Sequence, residues 1–216
     1  MSLHTAAPGY SVAALFVSPK GPYCGRADVD AWDEDRDARD YRGPLPVVAH
    51  PPCGRWSKLA ASVEARYPER FPIGVDGGCF ASALQSVFRW GGVLEHPAET
   101  KAWAEYALPE PKFSKWFGFL RSLPGRRSNA LAYVTEVMQV DYGHPARKRT
   151  WLLYVGINRP APLLWEGRKA SKVVGFCTNR CNRPVSDRLN SQASSRTPEA
   201  FAECLISLAR NCGGTK

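Results

Sequence analysis

Apolar residues along the chain gather in short runs broken by proline, glycine and charge, a pattern of buried strands and brief helices. The run Ser11-Val-Ala-Ala-Leu-Phe-Val17 stops at Ser-Pro-Lys-Gly-Pro and predicts a first strand running into a loop. Asp28 to Tyr41 is polar with a short helical possibility, and Pro44 to Ala49 predicts a second strand, halted by His50-Pro51-Pro52-Cys53. Residues 57 to 67 predict a helix. Cys79 to Trp90 predicts another, because Phe80, Leu84, Val87 and Phe88 fall near helical spacing and Gly91-Gly92 can end it. Val93-Leu94-Glu95 reads as a third strand, cut off by His96-Pro97.

Residues 105 to 128 read as a loop-rich insertion, and Ala130 to Val140 and Thr150 to Val155 as two strands around the turn Tyr142-Gly143-His144-Pro145, able to pair as a hairpin. Thr197-Pro198-Glu199 opens a last helix, with Thr at the cap and Pro at its first position, and Phe201, Cys204, Leu205 and Leu208 give it one apolar face. Alternating strands and helices predict an α/β fold: a compact, truncated Rossmann-like sheet with helices on both faces and ligands beyond the carboxyl ends of its strands. The expected layout is a catalytic core at 1–155, a basic loop-rich segment at 156–196 and a C-terminal helix at 197–216 that packs back on the core.

Composition narrows the classes. With 216 residues and 44% hydrophobic content the chain can bury its own core, and its apolar runs are far shorter than a membrane helix needs. No signal-like leader is read at the start, so a cytoplasmic location is expected. Residues 1–110 carry 11 basic and 14 acidic groups, whereas 111–216 carry 18 and 6, so the second half points to a polyanionic partner. Seven cysteines, scattered and odd in number, argue against a disulfide framework. Cys177 and Cys181, with Cys204 or Cys212, do not make paired zinc knuckles, and no metal is expected.

Three segments carry candidate chemistry. Pro51-Pro52-Cys53 fixes a thiol directly after a strand, and the nearby Arg55 could favour its thiolate. Glu95 ends a strand where a carboxyl group can donate or share a proton. Tyr142-Gly-His-Pro-Ala-Arg147-Lys148-Arg149 places three cations before a strand.

In this order the segments resemble the DNA cytosine-5 methyltransferases, and are similar to short phage-borne members of that family. The resemblance implies Cys53 as nucleophile, Glu95 at cytosine N3, and Arg147 with Arg149 as supporting cations. The family's spacing requires a one-residue shift there, which leaves Lys148 as a rival. Leu15 to Gly21 resembles the family's opening cofactor loop, and Asp30-Ala31-Trp32-Asp33 its acidic and aromatic pair for S-adenosylmethionine. On that basis Phe16, Ser18, Gly21, Asp30, Trp32 and Pro51 are the expected cofactor residues. Pro52, Arg55, His96, His144 and Lys148 are the expected substrate residues, and DNA is the expected partner.

The chain also departs from the family. Ser18-Pro19-Lys20-Gly21-Pro22 replaces a glycine-rich loop and loses backbone donors at its prolines. Only 36 positions separate Val17 from Cys53, too few for two crossover units of roughly 30 residues each, so part of the cofactor half is expected to be missing. Phosphate contacts are expected from Arg126, Arg127, Lys169, Lys172, Arg180 and Arg183, and base stacking from Trp116 or Phe117. Two other readings stay open: a pyrimidine-modifying enzyme that uses another electrophile or a free nucleotide, and an inactive DNA-binding protein.

Overall fold

A computed structural model describes residues 9–213 apart from 68, 70, 71, 122–129 and 175–187. One seven-stranded sheet organises it, with strands β1 (Val12–Leu15), β2 (Val29–Trp32), β3 (Val47–Ala49), β4 (Gly92–Pro97), β5 (Phe117–Arg121), β6 (Ala130–Met138) and β7 (Arg149–Val155) in the order β2-β1-β3-β4-β7-β6-β5. The first four are mutually parallel, and β7, β6 and β5 continue the sheet by antiparallel pairing. The helices are α1 (Lys58–Arg66), α2 (Cys79–Trp90), α3 (Lys101–Glu105), α4 (Ser191–Ser195) and α5 (Glu199–Arg210). The architecture is α/β with a mixed sheet, compatible with a Rossmann-like fold.

Strand alternation sorts the side chains into two cores. On one face Ala13, Leu15, Val47, Ala49, Leu94, Trp151 and Leu153 pack under Phe80, Ala83, Leu84, Val87 and Phe88 of α2 and Trp103 of α3. On the other, Val12, Ala14, Val48, Val93, Leu152 and Tyr154 pack under Phe201, Leu205, Ile206 and Leu208 of α5. The C-terminal helix thus closes the second face of the sheet. Where β4 passes β3, Gly92 has φ +117° and a Cβ on it would sit 2.0 Å from the Val47 carbonyl oxygen, so only glycine fits.

Several elements differ from the expectation. Asp28 to Tyr41 holds an edge strand, β2, that was not expected, ahead of a short 3-10 helix (Ala38–Asp40). Four residues of mixed polarity paired on one side leave no periodicity to read. The expected insertion at 105–128 contains β5, whose exposed Phe117 and Leu120 hide the alternation of a buried strand. Pro198, not Thr197, caps α5, and it makes no side-chain cap bond. No described helix is long and apolar enough to cross a membrane.

Candidate active site at the carboxyl edge

β1 leads to β2 on one side and β3 to β4 on the other, so the sheet changes direction between β1 and β3, where α/β sheets open a crevice. The loop that follows β3 carries Cys53. Its shape is set by Trp56, whose indole donates to Asp76 (2.8 Å) and whose carbonyl accepts from the Lys101 N–H (2.8 Å). Asp76 also accepts from Gly78 and Phe80 at the start of α2 (2.9 Å each). The Cys53 carbonyl accepts from Trp56 and Ser57 (3.0 and 3.1 Å), so the thiol sits at a turn anchored on both sides. Pro51 is buried, while Pro52 and Cys53 are exposed.

Glu95 lies on the α5 face of β4, 7% exposed, inside a chain of hydrogen bonds. The Tyr23 hydroxyl is 2.8 Å from His50 Nε2, and His50 Nδ1 is 3.1 Å from Glu95 Oε2. On the other side Gln139 Nε2 donates to Glu95 Oε1 (3.1 Å) and Thr150 Oγ1 (2.9 Å). Burial pushes the Glu95 pKa up, but the His50 hydrogen bond and the Lys148 and His50 charges outweigh it and hold the carboxyl at about 2. It rests as a carboxylate. Crowding around the thiol raises the Cys53 pKa, the Glu95 charge adds to this, and Lys148 opposes it. The resting sulfur is therefore a thiol within the fields of an acid and a cation.

The cation expectations divide. Lys148, half-buried and held by a hydrogen bond to the Ser195 carbonyl (3.2 Å), acts electrostatically on both Cys53 and Glu95. Arg149 points to the opposite face. It pairs with buried Glu136 at 2.7 Å and with Glu99, and Glu136 also accepts from the Trp151 indole (2.8 Å). Strand alternation separates Arg149 from Thr150 and Glu95, so it braces the sheet and is not brought to the site. Arg147 is exposed beyond the sheet. Arg55, expected to activate the thiol, is not among the groups that shift it.

Both candidate histidines are buried. His96, 0% exposed, lies on the α2 face between Phe80 (5.2 Å between ring centres) and Trp103 (6.5 Å). Burial lowers its pKa to about 4, so it is a neutral core ring turned away from Glu95. His144 is buried and locks its own turn, with Nδ1 accepting from the Ala146 N–H at 3.1 Å.

The residues expected at S-adenosylmethionine do not form an open cradle. Asp30 accepts from the Trp32 indole (2.9 Å) and from Arg36 (2.7 Å), and Arg36 lies over the Trp32 ring at 4.0 Å. Phe16 has φ +58°, and the next residue, Val17, donates to the Trp32 carbonyl (3.2 Å), which folds the loop over the end of β2. Ser18 accepts from the Gly21 N–H (2.8 Å) in a closed turn. Tyr23, 2% exposed, bridges the crevice itself through His50. Pro51 is enclosed at the same edge. No helix follows β1 to present amide donors. As they stand, these residues do not fit the cofactor.

Tyr23, His50, Gln139 and Thr150 escaped the sequence reading. His50 carried a signal, since it stands directly before Pro51-Pro52-Cys53 at a strand end; the others are joined to Glu95 only by the fold. Of the polyanion contacts, Lys169 is exposed and Lys172 half-buried, while Arg126, Arg127, Arg180 and Arg183 lie outside the described residues, as do Cys177 and Cys181. Trp116 donates to the Ala161 carbonyl (3.0 Å) and Phe117 is exposed on β5. A large open groove of about 1120 Å³ lies elsewhere, over the outer side of α2, lined by Arg39, Arg42, Arg89, Arg121, Trp90 and Tyr106.

Comparison with family models, curated proteins and solved structures finds no match.

Proposed function

We propose that the chain is a cytosine-directed enzyme of the covalent-addition class, acting on a DNA strand, with Cys53 as nucleophile at C6. The observation that carries this reading is the convergence of an exposed thiol, a buried ionised carboxylate and a lysine at one sheet edge. Cytosine C5 is a poor nucleophile until a thiolate adds at C6 and feeds its electrons towards C5 and N3. Glu95 is suited to the N3 side of the ring, where negative charge develops, and Lys148 is suited to favour the attacking thiolate and a ring anion together. In a duplex the base must leave the stack to meet a thiol at a loop tip, at a cost of a few kcal/mol. The excess of cations in the second half supports phosphate contacts that offset this.

Addition at C6 makes the C5 hydrogen exchangeable with solvent without any donor group. Incubation of a cytosine-containing oligonucleotide in deuterated water, read by nucleoside mass spectrometry, therefore tests the reading. Deuterium at C5 with the native protein and none with Cys53→Ala is expected; equal labelling with both removes the Cys53 assignment.

The arginine-lined groove over α2 favours a second reading, a protein that only binds nucleic acid. Arg39 and Arg42 are already paired with Asp37 and Asp40, which reduces the charge the groove offers. On this reading Arg121→Glu weakens DNA binding and flattens its salt dependence, and no C5 exchange occurs.

A further inference from the structure

A carboxylate held at about 2 has no proton of its own to give. If Glu95 serves N3, the proton must come from a partner, and among the described residues His50 is hydrogen-bonded to it. His50 Nδ1 faces Glu95 Oε2 at 3.1 Å, and its Nε2 faces the Tyr23 hydroxyl at 2.8 Å. The backbone N–H of His50 is bound to the Leu15 carbonyl (3.0 Å), and its ring lies 5.2 Å from that of Tyr23, so the imidazole is held from three sides.

We propose that His50, oriented by Tyr23, is a positioning residue that supplies Glu95 with the proton destined for N3 of the pyrimidine; this rests on the cytosine reading above. In the step, the exposed Cys53 thiol first loses its S–H proton to solvent, the sulfur lone pair of the thiolate forms the S–C6 bond, and the C5–C6 π pair moves into the C5–C4–N3 system. The Nδ1–H bond of a His50 imidazolium breaks, Glu95 takes the proton and passes it to N3, and His50 is left as neutral imidazole. On elimination of the thiolate the proton returns along the same path.

The imidazolium is required. A neutral His50 could give up Nδ1–H only by becoming an imidazolate or by taking the Tyr23 proton, and burial together with the Glu95 charge holds the Tyr23 hydroxyl protonated. The charged ring instead donates Nδ1–H to Glu95 and Nε2–H to the Tyr23 oxygen. The titratable groups around this path are Tyr23 and Arg26 from the loop after β1, Cys53 from the loop after β3, Glu95 and His96 from β4, Lys148 from the approach to β7, and Glu199 and Cys204 from α5. Because Cys53 rests as a thiol and gains thiolate as pH rises, loss of the His50 proton should turn a rising exchange rate into a level one.

The test is the pH profile of cytosine C5 deuterium exchange in the native protein, His50→Asn and Tyr23→Phe, beside the NMR titration of the His50 ring in the native protein. The asparagine amide can still donate to Glu95 but cannot ionise. His50→Asn is expected to slow exchange by about 10²-fold or more and to erase that break, leaving a rate that keeps rising with the thiolate, with an unchanged circular dichroism spectrum. Tyr23→Phe, which removes the acceptor for Nε2–H, is expected to move the break and the NMR midpoint to lower pH together. A His50→Asn protein exchanging within about threefold of native with the same profile overturns the proposal. So does a native profile whose break from rising to level misses the His50 midpoint, a result that needs no variant to fold. Absence of Cys53-dependent exchange at every pH is a different failure: it removes the cytosine reading, and the proton path with it.

Discussion

The carboxyl ends of β1 and β2 and those of β3 and β4 form one edge of one sheet, yet they are finished in opposite ways. At β1 and β2 the polar groups are spent on each other: Asp30 on Trp32 and Arg36, Val17 on the Trp32 carbonyl, and Ser18 on Gly21. At β3 and β4 they are left poised, with an exposed thiol, a carboxylate below its usual range and a lysine acting on both. Internal satisfaction makes the first half a brace, while desolvated charge and a presented thiol make the second a candidate site. Tyr23 joins them, reaching from the braced half to hydrogen-bond His50 in the poised half.

The comparison breaks most sharply at Cys53. Cys53→Ala is expected to reduce C5 exchange to background while shifting stability by no more than about 0.5 kcal/mol, because the residue is exposed; urea unfolding checks the second part. Next in size is Glu95→Ala, expected to cost roughly 3 kcal/mol by stranding buried polar partners. The milder Glu95→Gln gives the sign of the pH dependence. The folded carboxyl is held at about 2 against an ordinary value of 4.5, so its stabilisation is complete above the unfolded value and lost as pH falls towards 2. The stability gap between native and Glu95→Gln protein, measured by urea unfolding, should close as pH falls from about 5.5 towards 2.

A crossed pair follows. Arg149→Ala is expected to lower stability by about 1–3 kcal/mol, since Glu136 loses its partner while buried, and to leave exchange unchanged. Lys148→Ala should do the reverse, slowing exchange about tenfold with little change in the unfolding midpoint. Smallest is the braced half: Arg36→Ala should cost under about 1 kcal/mol and leave exchange alone. Calorimetry of the native protein with S-adenosylmethionine should give no heat, and a saturable signal would mean that this half opens.

Much of the fold was legible because the two covering helices and the central strands bury continuous apolar faces. Phe80, Leu84, Val87 and Phe88 mark α2, Phe201, Leu205 and Leu208 mark α5, and Val47 to Ala49 marks β3. The edge strands β2 and β5 were not, because a strand with one neighbour and one open side has no pattern to declare itself. At the site, Cys53 and Glu95 stood out through their positions at strand ends. The choice among Arg147, Lys148 and Arg149 could not be made in one dimension: it depends on which residues of β7 face Glu95, and strand register sets that. Glu95, read as a group able to donate or share a proton, is held below the usual carboxylate range, because His50 and Lys148 come to it from distant segments.

The most direct measurement is a mass-mapped adduct between the protein and an oligonucleotide carrying 2-pyrimidinone in place of one cytosine, a base whose C6 accepts a thiolate without any donor. The account predicts a one-to-one covalent complex whose cross-linked peptide contains Cys53 and which disappears in Cys53→Ala. An adduct on Cys24 or Cys79, or none with the native protein under conditions where it binds the strand, would contradict it.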